Sequence, residues 1–157
     1  SDVCSSDHKP EELQAQMENM AKLIEPQGLE NLALSMANQP ARKKLREKNP
    51  AELEKFMAEL KGLSTLGMAN TMRGVQKRRA PIYAHETAVR ALKMPVMVVW
   101  GSDDAGCKGP SEFLAREIPG ARLEVFPGTG HLVNLEEAER FNGLLRDFFG
   151  AVDGGAR

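Results

Sequence analysis

The sequence predicts an α/β fold in which a mostly helical region precedes a small parallel sheet with flanking helices. Three observations lead to this prediction. Apolar residues recur at helical spacing over most of the first ninety residues. At Val96 the pattern changes to a continuous run rich in β-branched residues through Trp100, typical of a strand covered on both faces. A second strand over residues 123–126 follows a helical segment, and this strand–helix–strand order predicts parallel pairing.

The composition is typical of one ordinary soluble domain. The 157 residues are 41% hydrophobic and 27% charged, which is enough to bury a core. The net charge of −1 argues against nucleic acid or an anionic membrane as partner, and no apolar run approaches the roughly 20 residues of a membrane span. The first residues lack a secretion signal, so we expect a cytoplasmic location. Two cysteines and three histidines without metal-ligand spacing predict no metal site, and no organic cofactor is implied.

The helical region is expected over residues 8–92. Residues 1–7 are polar and aperiodic, so we expect a non-native or disordered leader there. Apolar stripes cover residues 13–24, 29–36 and 53–63, with a basic turn over 41–48, and Asn49-Pro50 is a typical helix start. Further helical segments are expected over 66–79 and 85–92. Five methionines on or near these faces are typical of a core, with an adaptable pocket as the alternative, at positions 17, 20, 36, 57 and 68.

The α/β part of the fold is expected over residues 93–150. After the first strand, a helix is expected over residues 110–118, with Pro110 near its start. Asn134 with a carboxylate three residues later predicts a capped start for the last helix. Gly150 is expected to end that helix and leave residues 151–157 as a tail. Two strands form an incomplete layer, because the first strand is apolar on both faces and needs further neighbours.

Two groups able to transfer protons stand just after the predicted strands. Asp104 comes three residues after the glycine that ends the first strand, and His131 follows the second strand. Since the carboxyl ends of parallel strands meet at one edge of a sheet, these side chains are expected close together. A carboxylate bound to one imidazole nitrogen leaves the other nitrogen as a base, and the order Asp then His matches a Ser–Asp–His triad. The alternatives are an aspartate-rich turn and a glycine-rich loop without catalytic roles.

Residues 71–149 resemble the C-terminal part of α/β-hydrolase-fold enzymes of the esterase, lipase and C–C hydrolase kind. The similarity lies in residues 94–104, 113–121 and 130–137, followed by Phe141-Asn142. The resemblance implies that Asp104 is the acid of the triad, with Asp103 as second choice, and that His131 is the base. It also implies that the helices before Pro95 form a cap above the active site, and that the substrate is a small molecule.

The nucleophile motif of that family, Gly-x-Ser-x-Gly, does not occur in this sequence. The resemblance therefore implies the cap and C-terminal part of a hydrolase of an ester or similar carbonyl compound, with the N-terminal half of the same protein missing. This chain alone is expected to be inactive. Two alternatives stay open: a non-enzymatic helical interaction module, and a relative with other chemistry, such as a dehalogenase or haloperoxidase.

Three other groups have simpler explanations than a functional one. Cys107 follows the acid, but neither a helix N-terminus nor a base is expected beside it, which favours an unreactive loop thiol over a nucleophile. Trp100 is expected in the core rather than as a substrate platform. A basic cluster could bind an anionic substrate group, although a solvated helix face accounts for it: Arg73, Lys77, Arg78 and Arg79.

Overall fold

The first part of the chain consists of short helices, as predicted. A computed structural model describes residues 10–155, so the leader predicted over residues 1–7 lies outside the described residues. The α-helices are α1 (Pro10–Gln27), α2 (Glu30–Asn38), α3 (Lys43–Lys48), α4 (Pro50–Lys61), α5 (Thr65–Gly74) and α6 (Glu86–Arg90). Three 3-10 helices lie between them, at Pro40–Arg42, Gln76–Arg78 and Ile82–His85.

The helical part has its own apolar core, in which α1 packs closely against α5. Small and branched side chains fill its centre: Ala21, Ile24, Leu29, Leu32, Ala33, Leu60 and Ala69. Five methionines pack against this cluster, at positions 20, 36, 57, 68 and 72. A thioether side chain is flexible enough to fill the irregular gaps between short helices that cross at different angles. Most of the predicted core methionines therefore lie where the apolar stripes place them.

The local signals for helix ends explain where several helices begin and turn. The side chain of Asn49 accepts a hydrogen bond from the Glu52 amide at 3.3 Å, and Pro50 is the first residue of α4. This contact satisfies one of the amides that a helix start leaves without an intrahelical partner. Between α1 and α2, Gly28 has a φ of +73°, a backbone conformation that favours glycine. This glycine lies between the apolar stripes predicted over residues 13–24 and 29–36, and the structure confirms that they belong to separate helices.

A two-stranded parallel sheet follows the helices. Strand β1 (Met97–Gly101) pairs with β2 (Arg122–Phe126), in a register that places Val98 opposite Leu123. Helix α7 (Ala105–Glu117) connects the strands and packs on the sheet, and Phe113 and Ile118 are buried beside Val89 of α6. Two further helices complete the described chain, α8 (Val133–Glu136) and α9 (Ala138–Gly155). The predicted α/β fold class and the parallel pairing are confirmed.

Among residues 10–155, strand β1 has a strand neighbour on one side. Within residues 10–155 the sheet contains β1 and β2, so the second edge of β1 meets no strand there. No helix in the same range is both long enough and apolar enough to cross a membrane.

Four predicted boundaries were wrong, each because a local signal was weaker than its surroundings. Residues 41–48 form a 3-10 turn and α3 rather than a basic turn, since buried Leu45 holds them against the core. Helix α7 begins at Ala105, with Pro110 inside it. A proline removes one helical hydrogen bond, and the amide of Cys107 holds the preceding turn by donating to the Asp104 carbonyl at 3.2 Å.

The last helix differs from prediction at both ends. Asn134 lies inside the short helix α8 rather than capping the long one, because the carboxylate of the neighbouring Glu136 turns back to the preceding loop. Helix α9 continues through Gly150 to Gly155. Gly150 lacks the positive φ that ends a helix, and a glycine with helical backbone angles weakens a helix by only about 1 kcal/mol.

Candidate active site

The turns after β1 and β2 are bonded to each other at the carboxyl edge of the sheet. The amide of Ser102 donates to the Phe126 carbonyl at 3.0 Å, and the amide of Asp103 donates to the Thr129 carbonyl at 2.9 Å. In return, the amide of Gly128 donates to Ser102 Oγ at 2.8 Å. These bonds extend the strand ladder into the loops. The positions of the two turns relative to each other are therefore fixed by the backbone.

Gly101 allows this close approach of the two turns. A Cβ atom at position 101 would lie 2.1 Å from the Gly130 carbonyl oxygen and 2.5 Å from that of Thr129. Both atoms belong to the backbone, so neither can move aside as a flexible side chain would. Position 101 therefore requires glycine for a steric reason. Asp104 follows Gly101 in the chain, and His131 follows Gly130, so this close contact lies beside both candidate residues.

The structure brings Asp104 and His131 into direct contact. The Oδ2 atom of Asp104 lies 2.6 Å from Nδ1 of His131. The Asp104 side chain is 4% exposed, whereas His131 is 27% exposed. Because an ionised carboxylate only accepts hydrogen bonds, this contact places the imidazole proton on Nδ1. The second ring nitrogen, Nε2, is then the basic atom of the pair.

The surroundings of Asp104 favour its ionised form. Burial by itself would raise the pKa of Asp104, but the hydrogen bond with His131 and the nearby Cys107 thiol outweigh burial and hold the pKa below its ordinary value. The Trp100 indole donates its N–H to the Asp104 carbonyl at 2.8 Å and anchors the backbone of the same residue. The site therefore holds a carboxylate, already oriented, against the imidazole.

Asp103, the second choice for the acid, faces a different group. Its Oδ2 atom lies 3.3 Å from Nζ of Lys44, and its side chain is 39% exposed. The hydrogen bond from Ser102 and then the one from Lys44 hold the pKa of Asp103 below its ordinary value. Geometry thus favours Asp104 over Asp103 as the partner of His131.

Cys107 lies closer to the pair than the sequence predicts. It stands in the first turn of α7, and its Sγ atom is 3.8 Å from Nδ1 of His131, so the expectation of a loop thiol with neither a helix N-terminus nor a base beside it was wrong. The prediction missed it because Pro110 was taken as the helix start. Asp104, Cys107 and His131 each offer one atom that could bind a metal, and these atoms lie within 4.8 Å of one another. The absence of a metal stays a prediction.

His131 lies between two cavities. The larger, of about 490 Å³, has mostly apolar walls that include Val99, Trp100 and Leu114. The smaller, of about 260 Å³, has walls that include three methionines, at positions 20, 36 and 72. The alternative of a methionine-lined pocket therefore applies to Met20 and Met36, and Met72 joins them although the sequence did not single it out. Trp100 both lines the larger cavity and, through its indole N–H, holds the main chain at Asp104.

The basic cluster divides between two environments. Arg73 pairs with Glu18 and Glu25 of α1, and Lys77 pairs with Glu18. The hydrogen bond to Glu25 and then the one to Glu18 raise the pKa of Arg73. These pairs join α1 to α5 and to the following 3-10 helix Gln76–Arg78, so both basic residues form ion pairs between helices rather than the predicted solvated helix face. Arg79, by contrast, lines both cavities beside His131.

Sequence reasoning missed the residues that hold the His131 loop. The Gly130 amide donates to Oε2 of Glu136 at 2.6 Å, and the His131 amide donates to the Ala41 carbonyl at 3.1 Å. The Leu132 amide donates to Oε1 of Glu136 at 3.3 Å. Two neighbouring carboxylates, Glu136 and Glu137, follow the histidine in the sequence. The capping pattern assigned a role to Glu137, whereas Glu136 is the one that binds the loop amides.

Relatives with known names share part of this chain. No protein-family model matches the sequence. A 2-hydroxy-6-oxononadienedioate/2-hydroxy-6-oxononatrienedioate hydrolase from Paraburkholderia phymatum is 35% identical over 79 residues, which are 46% of this chain and 25% of the relative. A 2-hydroxymuconate semialdehyde hydrolase from Pseudomonas putida is 37% identical over 71 residues, 45% of this chain and 25% of the relative.

Solved structures extend the similarity to most of the described fold. MenH from S. aureus has a TM-score of 0.80 at 18% identity and covers 92% of this chain and 53% of its own. A thermophilic esterase from Thermogutta terrifontis has a TM-score of 0.79 at 24% identity, covering 90% of this chain and 51% of its own. The chain thus spans about a quarter of the curated relatives' length and about half of these structures. The solved structures show that the chain has the fold of part of an α/β-hydrolase, and the curated relatives point to the same family.

Proposed function

We propose that Asp104 and His131 are the acid and the base of a hydrolytic triad whose nucleophile lies outside this sequence. The reaction would be hydrolysis of a small ester or similar carbonyl compound. One observation supports the pairing above all others, the 2.6 Å contact between a buried carboxylate oxygen and Nδ1 of a half-buried imidazole. An Asp–His pair cannot attack a carbonyl by itself, and the sequence contains no Gly-x-Ser-x-Gly.

The proposed mechanism follows from the orientation of the imidazole. Asp104 accepts the Nδ1 proton and holds the ring in the tautomer with a basic Nε2 atom. Nε2 takes the proton of the attacking hydroxyl, so that the hydroxyl oxygen bonds to the substrate carbonyl carbon and the carbonyl electron pair moves to its oxygen. The electron pair on that oxygen then re-forms the carbonyl, the bond between the carbonyl carbon and the leaving group breaks, and the imidazolium, stabilised by the Asp104 carboxylate, gives the same proton to the leaving group. In the second step Nε2 takes a proton from water, whose oxygen bonds to the acyl carbon, and the bond to the nucleophile breaks as that proton returns to the nucleophile oxygen and the acid is released.

The names of the relatives support hydrolysis at a carbonyl carbon. They include hydrolases of dienedioate and semialdehyde compounds, an esterase and an enol-lactonase. The two cavities beside His131 have mainly apolar walls, which favours a substrate with an apolar body. We therefore expect a small carbonyl compound rather than a polymer.

A fusion that supplies the nucleophile tests this proposal. The part of the Thermogutta esterase that precedes the half matched by this chain would be joined to the full 157-residue chain, and hydrolysis of p-nitrophenyl acetate would be measured. A fluorophosphonate probe would report whether the supplied serine is activated. We expect labelling and turnover in the fusion, and neither with the unfused chain.

Variants at the pair and beside it provide the control. His131→Gln and Asp104→Asn should abolish turnover by the fusion, while Asp103→Asn should retain it because Asp103 faces Lys44. A fusion that melts cooperatively yet leaves the serine unlabelled, or one whose turnover survives His131→Gln, would contradict the proposal.

A further inference from the structure

The loop that carries His131 presents three consecutive backbone amides, and each has one partner. Gly130 and Leu132 donate to the two carboxylate oxygens of Glu136, at 2.6 Å and 3.3 Å. The amide of His131, between them, donates to the carbonyl of Ala41 at 3.1 Å. The backbone on both sides of the imidazole is therefore held by one carboxylate.

The burial of Glu136 shows that this carboxylate depends on the loop. The residue is 8% exposed. Within residues 10–155 it forms no ion pair, so the two loop amides stabilise its charge. A buried carboxylate is unfavourable unless hydrogen bonds compensate its lost hydration, and bonds from amides to an ionised group are among the stronger ones. Glu136 and the loop thus hold each other in a single arrangement.

The close packing at Gly130 leaves little room for another arrangement. A Cβ atom at position 130 would lie 2.9 Å from the Ala41 carbonyl oxygen and 3.0 Å from Oε1 of Glu136. The loop backbone is therefore in contact with the carboxylate on one side and with the 3-10 helix Pro40–Arg42 on the other. A shift of the loop would break both contacts together.

We infer that Glu136 is a positioning residue that sets the direction of the His131 ring toward Asp104. Its importance for catalysis rests on the proposed function, but its effect on the ring does not. Without the carboxylate, the amides of Gly130 and Leu132 lose their partners, and the loop that aims the ring is free to turn. The ring contact of 2.6 Å should lengthen or become intermittent.

The chemistry of the two amides explains why a carboxylate occupies this position. Both loop groups are donors, and a carboxylate offers two acceptor oxygens, one for each amide. Glutamine offers one acceptor oxygen and one NH₂ group, and that NH₂ group would face an amide donor. Alanine offers nothing. We therefore expect the His131 ring to be held most firmly in the wild type, less firmly in Glu136→Gln and least firmly in Glu136→Ala.

The ring proton on Nδ1 reports this position without any catalysis. The full chain would be labelled with ¹⁵N-histidine, and the downfield Nδ1–H resonance would be assigned by its loss in His131→Gln. In Glu136→Ala we expect this resonance to be lost, or its proton to exchange with water about tenfold faster or more, as expected when a charge-assisted hydrogen bond is removed. Glu136→Gln should give an intermediate exchange rate.

Glu137→Ala is the matched control. It removes a carboxylate one residue further along the chain, which pairs with Lys48 and not with the loop amides. This variant should keep the wild-type resonance. A merely structural role for Glu136 would lower the melting temperature of Glu136→Ala and leave the resonance unchanged, and that result would overturn the inference. If Glu136→Ala does not fold, wild-type exchange in Glu136→Gln overturns it equally.

The readout separates this inference from the proposed function. An inactive fusion together with a lost resonance in Glu136→Ala would refute the proposed function and support the positioning role. An active fusion whose Glu136→Ala variant keeps the wild-type resonance would do the reverse.

Discussion

Replacing Gly101 by alanine should separate the two turns that carry the candidate residues. The added Cβ atom would lie 2.1 Å from the Gly130 carbonyl oxygen, whereas real contacts of this kind stay beyond 3.0 Å. The backbone of one turn must move by about 1 Å, because no side chain is available to rearrange. This displacement breaks the short backbone bonds between the turns and pulls His131 away from Asp104.

The size of the effect follows from the cost of overpacking. Inserting a methyl group into closely packed structure destabilises a protein by typically 1–3 kcal/mol, and contact with rigid backbone on two sides places Gly101→Ala at about 3 kcal/mol. For a chain of about 150 residues, each kcal/mol lowers the melting temperature by roughly 2–4 °C. We therefore expect a decrease of roughly 6–12 °C.

Thermal unfolding followed by circular dichroism measures this decrease. Gly150→Ala is the control, since a Cβ atom at that helical position meets nothing within 4 Å. It should stabilise the protein slightly, by up to about 1 kcal/mol, through its helix propensity. If Gly101→Ala melts within about 2 °C of the wild type, less than 1 kcal/mol is involved and the steric argument is refuted.

Two further predictions concern the acid and the helical core. Because the pKa of Asp104 is held below its ordinary value of about 3.9, its carboxylate stabilises the native state above that pH, and this stabilisation is lost as the pH falls through the lowered pKa. In denaturant titrations, Asp104→Asn should reduce the loss of unfolding free energy at acid pH. Asp103 is more exposed, so Asp103→Asn should change this loss much less. An unchanged loss in Asp104→Asn would exclude Asp104 as its source. Leu45 is fully buried in a cluster that Leu132 and other residues pack against, so Leu45→Ala should destabilise the chain by about 3 kcal/mol and speed hydrogen exchange of the Leu132 amide. Slow exchange at Leu132 in that variant would show that the helices do not support the loop.

The meeting of Asp104 and His131 could be predicted because it follows from a general property of parallel sheets. The apolar run ending at Trp100 predicts a strand. Asp104 stands just after this strand, and His131 stands just after the next one. Parallel strands bring their carboxyl ends to one edge whatever the details of packing. The choice between Asp103 and Asp104 was supplied by the family resemblance, and the structure adds Lys44 as the physical reason for it.

The roles of Glu136 and Ala41 could not be predicted from the sequence. Glu136 has the residue type and spacing of an ordinary first-turn carboxylate, and only its burial shows that it serves the preceding loop. Ala41 acts through its carbonyl oxygen, which every residue possesses. The boundaries at Pro110 and Gly150 failed for a related reason, because the preferences of single residues are worth about 1–3 kcal/mol and tertiary contacts exceed that.

The bond from the His131 amide to Ala41 has a consequence for exchanging helical regions between relatives. A main-chain carbonyl is the same in every amino acid, so substitutions at position 41 that fit the buried space would preserve the contact. An insertion or deletion within Pro40–Arg42 would instead shift the carbonyl along the chain and leave the histidine amide without it. Register at this joint, rather than residue identity, therefore decides whether a transplanted helical region is compatible with the rest of the fold.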